Sequence, residues 1–200
     1  ERMEAVARAR VAEALVMLKE DPQKALAMVR GIPVPRLQAE VLGSVARSVS
    51  DKDPATAKSV LDQTIHILDG IKNPSERGHI WTIVAEAAFR AKEEERAWEA
   101  IDRGLSDAAE MYKMDADGEF GNSALREYWP STQAYRRMVH QAAKLFGVKA
   151  EGLLVKITDP ELALLARLEI AQSLLGRPTS ANQIRISGRG REEQMQQQRR

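Results

Sequence analysis

Four prolines in this chain follow a short polar residue in a pattern that suits the start of a helix better than any other backbone setting. Asp21-Pro22, Asp53-Pro54, Asn73-Pro74 and Asp159-Pro160 each place a carboxylate or amide oxygen directly before a proline. The side-chain oxygen can accept from amides that a first helical turn leaves without partners, and proline at the first position gives up an N–H that has no use there. A second phrase overlaps the first: Ile32-Pro-Val-Pro35, Ile71-Lys-Asn-Pro74 and Ile157-Thr-Asp-Pro160. The first two lie 39 residues apart and the last two 86, about twice that interval. The phrase therefore reads as the joint of a repeated helical unit, with one joint overwritten near 115–130.

Between the joints the apolar spacing is helical. Residues 3–19 carry Val11, Leu15 and Leu18 on one face, and a short second helix carries Ala25, Val29 and Ile32. The set Ala57, Val60, Leu61, Ile65, Leu68 returns as Ala97, Ala100, Ile101, Leu105, Ala108, each shifted by 40 residues. From 114 to 130 the pattern fails among two glycines and several acids, which predicts a long loop with at most a helical turn around Ala124 to Tyr128. Helix resumes after Pro130, with Tyr135, Met138, Ala142 and Leu145 on one side, and stops at Gly147. A short segment leads to Ile157, and a strongly apolar helix with Leu164, Leu165, Leu168, Ala171 and Leu175 ends at Gly176. The expected architecture is all-α: eight or nine helices in antiparallel pairs with a period of about 39–40, stacked as a short right-handed α-solenoid over residues 1–176.

Composition then limits the partners. Thirty basic side chains face 29 acidic ones, a net charge of +1, so bulk electrostatics supplies no drive towards nucleic acid. The sum hides a polarity, because residues 177–200 hold six arginines against Glu192 and Glu193, leaving the rest of the chain at about −3. This basic tail is too poor in apolar groups to offset its own ordering entropy. Order there would need another surface, with Ile184 and Ile186 on one side of an extended strand in an apolar groove, Arg185 on the other, and a neighbouring copy as host. Cysteine is absent, which excludes disulfides, thiolate metal sites and a cysteine nucleophile. No apolar run approaches the roughly 20 residues of a membrane-spanning helix. The first residue is Glu1 rather than Met, which sets up an expectation of leader-peptide removal and export to the periplasm or exterior, against a trimmed cytoplasmic chain.

A helix pair every 39–40 residues resembles the HEAT-like α-solenoids more than tetratricopeptide repeats, whose period is 34. The Ile-x-x-Pro joints and the stretch Tyr128-Trp-Pro-Ser-Thr-Gln-Ala-Tyr-Arg-Arg137 are similar to uncharacterised bacterial helical-repeat proteins that often carry a leader peptide. The resemblance implies binding or scaffolding and brings no catalytic residue with it.

Asp115-Ala-Asp117-Gly-Glu119 alternates carboxylates beside a glycine as a calcium loop begins, but counting from Asp115 puts Phe120 at the glycine position and Arg126 at the bidentate glutamate, so a solvated acidic turn fits better. His66, His79 and His140 fall on three different helices without a second ligand at i+3 or i+4, the spacing of half-buried helix residues rather than of a zinc site. Glu93-Glu94-Glu95 suits the positive end of a helix dipole. No nucleophile–base order and no phosphate loop is present, so neither catalytic residues, nor a cofactor, nor a metal is assigned.

The favoured function is therefore a non-enzymatic structural or interaction protein that assembles with copies of itself through its last helix and tail. The interface candidates are Tyr128, Trp129, Leu165, Ile184, Arg185 and Ile186, with plugging of a gap between helices the other reading of Trp129. A monomeric peptide-binding adaptor using a concave helical surface is the alternative, and a helical hydrolase or metal-binding protein stands behind both.

Overall fold

The computed structural model describes residues 2–118 and 129–176, and these form eight α-helices and one 3₁₀ segment without a strand. In chain order the elements are α1 (Arg2–Glu20), α2 (Pro22–Val29), α3 (Pro35–Val49), α4 (Pro54–Gly70), α5 (Pro74–Arg90), α6 (Glu94–Asp117), α7 (Pro130–Phe146), the 3₁₀ segment Gly147–Lys156 and α8 (Pro160–Leu174).

The joints behave as local chemistry requires. Asp21 accepts from the backbone N–H of Gln23 and Lys24, Asp53 from Thr56, Asn73 from Ser75, and Asp159 from Glu161 and Leu162, each ahead of a proline in the first helical turn. Ile32, Ile71 and Ile157, the apolar residues of the three joints, are all buried. Gly147 closes α7 with φ at +61°, a backbone setting that a side chain resists.

One boundary and one cap differ from the sequence reading. Helix α6 runs on to Asp117, past the point where the apolar pattern fails, because that failure marks only the loss of a buried side, and an exposed helix end needs none. Its last turns carry Asp115, whose carboxylate accepts from the backbone N–H of Ser131 at 3.0 Å. The residue before Pro130 is Trp129, which has no side-chain oxygen to cap α7, and Asp115 supplies that acceptor from sixteen residues away.

Packing follows the sequence period. Between α3 and α5 the polar pairs Glu40–His79, Arg47–Glu86 and Asp51–Arg90 all join residues 39 apart, so the two helices run in the same direction one unit out of step. Between α4 and α6, Asp62–Arg96 and Asp69–Arg103 join residues 34 apart, again a constant offset. Helix α5 lies at the centre and packs on α3, α4, α6 and α7. Small residues set the approach distances: a Cβ on Gly43 of α3 would meet Ile83 of α5 at 3.1 Å. One hydrophobic core runs from Ala7 to Ile170, and each fully buried Leu or Ile in it, such as Leu61, Leu68, Ile80 and Ile101, contributes about 1.5–3 kcal/mol.

The first seven α-helices and the 3₁₀ segment form a regular alternation. Helices α1, α3, α5 and α7 are each followed by an element that packs on them, namely α2, α4, α6 and the 3₁₀ segment. Among the described residues α8 has no such follower, and it touches only α7 and the 3₁₀ segment.

Candidate interaction surface

The direction of α8 is fixed at both ends of its contact with α7. Near its start, Asp159 accepts from the Tyr112 hydroxyl at 3.0 Å, and the Tyr112 ring lies 5.4 Å from that of Trp129, the residue that precedes α7. Ten residues on, Glu169 meets Arg136 and His140 in the middle of α7. Helices α7 and α8 therefore run side by side in the same sense.

Glu169 sets the rotation of α8 about its own axis. It is 1% exposed, and its Oε2 accepts from Nε and Nη2 of Arg136, both at 3.3 Å, while His140 Nδ1 lies 3.6 Å from Oε1. A buried carboxylate deprived of its partner costs several kcal/mol, so α8 is held with Leu162, Ala166, Glu169 and Ile170 inward. The opposite side then faces out. Leu164 is 66% exposed, Leu168 51% and Leu175 67%, at helical spacings of four and seven, with Leu174 beside them. Val155, from the 3₁₀ segment, is exposed as well, and a cleft of about 530 Å³ opens between the two elements over Leu154, Ile170, Ala171 and Leu174.

The residues singled out in the sequence fall into three places. Leu165 is half-buried at the border between the inward and outward sides of α8. Trp129 is 2% exposed and packs against Tyr112, so its indole fills a gap between helices and is not presented to a partner in this chain. Tyr128, Ile184, Arg185 and Ile186, with the whole of the basic tail, lie outside the described residues.

Two of the three histidines stand beside carboxylates: His79 is 3.6 Å from Glu40 and holds that carboxyl below the usual carboxylate range, and His140 faces Glu169. Among the described residues no three metal-ligating side chains come together. No helix among them is long and apolar enough to cross a membrane.

Two grooves were not visible in the sequence. One is lined by Val29, Arg30, Gln38, Leu42, Gln63 and Ile67, and the other by Leu68, Asp69, Arg77, Trp81, Asp102 and Ser106. Each residue of the second set stands 39 positions after its counterpart in the first, so the grooves recur at the interval seen in the sequence. Their chemistry differs. In the second, Asp107 accepts from Arg77 Nε at 3.1 Å and from Trp81 Nε1 at 2.8 Å, while Arg103 lies 5.3 Å over the Trp81 ring, so these polar groups of its lining pair with one another. In the first, carboxamides and an arginine edge an apolar floor. The 39-residue period could have revealed the equivalence, but which positions line a groove depends on how α2, α4 and α6 splay over α3 and α5.

A fourth concave feature lies where α6 begins and α7 ends. Trp98 and Phe146 meet edge to face at 4.9 Å, Phe89 meets Phe146 in the same way at 5.3 Å, and Glu94, Glu95 and Lys149 rim a cleft of about 420 Å³. Compared with protein families, with curated proteins and with solved structures, the chain matches none.

Proposed function

We propose that this chain is a non-enzymatic, self-assembling structural protein, built as a short right-handed α-solenoid of antiparallel helix pairs in the HEAT-like manner. Its copies join through the outward side of α8. The observation that carries the reading is the second apolar stripe, Leu164, Leu168 and Leu175, on a helix that already buries its other side. Contiguous exposed leucines of this kind mark an interaction surface, and a repeat array whose terminal element lacks a polar outer face calls for a cover. The constant 39-residue offset between α3 and α5 supports the solenoid, since stacked repeats pair equivalent positions.

The test is sedimentation velocity on the full chain. The expected result is an oligomer at tens of micromolar that a Leu164→Glu/Leu168→Glu variant converts to monomer with unchanged helical circular dichroism. A monomeric parent chain over that range, or a variant that assembles as well as the parent, would overturn the reading.

A second reading has one specific observation in its favour. The groove of Gln23, Gln38, Gln63 and Arg30 over Leu26, Leu42 and Ile67 offers amide donors and acceptors above an apolar floor, which suits the backbone of a bound peptide in a monomeric adaptor. A monomeric parent chain would shift the weight to this groove.

A further inference from the structure

We infer that the cleft of Trp98 and Phe146 is an intramolecular docking site, and that its occupant is the segment Gln183-Ile-Arg-Ile-Ser187 of the same chain. The cleft has the chemistry of a receptor for an aliphatic segment flanked by arginine. Its floor is two half-buried aromatic rings backed by a third, in a chain that has only nine aromatic residues. Its rim carries Glu94 and Glu95, both exposed and without an ion pair among the described residues, although nearby charges on the same helix are paired: Glu93 with Lys58, Arg96 with Asp62, and Glu99 with Arg103. Among the described residues lining the cleft, Lys149 is the one cation.

The segment supplies the complement. Ile184 and Ile186 are its apolar pair, two residues apart as a groove-bound extended peptide requires, and Arg185 and Arg189 carry the charge that two free carboxylates favour. Arginine also stacks on indole rings more readily than lysine does, and Trp98 offers such a ring. Residues 177–200 are net basic while the remainder is about −3, so long-range attraction acts in the same sense.

The position of α8 decides which copy provides the segment. The sequence alone favoured a neighbouring chain. Because α8 runs parallel to α7 with Glu169 beside Arg136 and His140, its end at Gly176 lies at the same end of the bundle as Phe146. Neighbouring helix axes are about 8–10 Å apart, so the cleft is within roughly 20 Å of Gly176. Seven residues join Gly176 to Gln183 and reach roughly 23–25 Å when extended, which is sufficient. A tether of that length gives an effective concentration on the order of millimolar, well above that of a second copy in dilute solution. The site is separate from the outward side of α8 and does not depend on assembly.

Tryptophan fluorescence of the full chain tests this directly. Trp81 and Trp129 are 3% and 2% exposed, so acrylamide quenching reports chiefly on Trp98, and a Trp98→Phe variant verifies the assignment. The expected result is weak quenching in the parent chain, at least twofold stronger in an Ile184→Asp/Ile186→Asp variant, and independent of protein concentration from sub-micromolar upwards. An Arg185→Glu variant should raise quenching, and adding Glu94→Arg/Glu95→Arg should reverse the rise. Equal quenching in parent and Ile184→Asp/Ile186→Asp chains would overturn the inference, as would protection that grows with concentration, which would assign the segment to a second copy. Sedimentation of the same Ile184→Asp/Ile186→Asp variant keeps the two readings apart: loss of Trp98 protection with assembly intact supports docking within the chain, and loss of both together overturns it.

Discussion

Met138 lies over Gly104 where α7 packs on α6, its sulfur 2.1 Å from the point a Cβ on Gly104 would occupy. Both residues are within the core, and Met138 is 1% exposed, so a methyl group added at Gly104 must displace the thioether within the packed interior. The missing side chain fixes how closely the two helices approach, and through α7 it places α8.

Substituting Gly104→Ala should therefore destabilise the fold despite the better helix propensity of alanine. Propensity favours the variant by ~1 kcal/mol, whereas overpacking a buried contact costs typically ~1–3 kcal/mol, and the thioether of Met138 must shift to admit the methyl group. In a double-mutant cycle with Met138→Ala, the two effects should be strongly non-additive, because the second change removes the atom with which the new methyl group collides. Urea denaturation of the four proteins measures the coupling, and simple additivity would show that the contact does not limit the approach.

The cap at Asp159 couples a local bond to a distant one. Its carboxylate accepts from Glu161 and Leu162 in its own helix and from the Tyr112 hydroxyl of α6. Asp159→Ala should lower stability by ~0.5–2 kcal/mol as an N-cap loss, and Asp159→Asn, an equally good cap, should recover most of it. Hydrogen exchange at the amides of Glu161 and Leu162 would locate the effect; equal protection in the alanine variant would mean that the cap is idle.

The ion pair of Arg136 and Glu169 holds α8 in the rotation that exposes its leucines. Glu169 is buried and Arg136 partly so, 1% and 11% exposed, so removing one leaves the other charged without compensation. Glu169→Gln or Arg136→Met alone should cost about 3–5 kcal/mol, while Arg136→Met combined with Glu169→Met should be close to neutral, since a packed apolar pair replaces a desolvated ionic one. Denaturation midpoints of the three variants decide the matter. A double variant as unstable as the singles would mean that the pair contributes net stability.

The helix starts at Asp21, Asp53, Asn73 and Asp159 were legible in the sequence because each is made by bonds between residues two or three apart. The 39-residue interval was legible for a related reason: equivalent positions of successive units carry similar residues, and the pairs Glu40–His79 and Arg47–Glu86 realise that interval in space. The apolar character of α8 could also be read, but not which of its leucines face out, since that depends on Glu169 reaching Arg136. Trp129 offered two readings of equal standing, and its burial against Tyr112 came from a contact seventeen residues away. Asp115 looked like the first acid of a solvated turn and instead caps α7 across sixteen residues. The sequence by itself determined where helices begin and how often they recur, because those are short-range properties of the backbone and its nearest side chains. Only the tertiary structure decided which acids are buried, which aromatic ring fills a gap and which apolar stripe is left uncovered, because each depends on groups far apart in the chain competing for the same space.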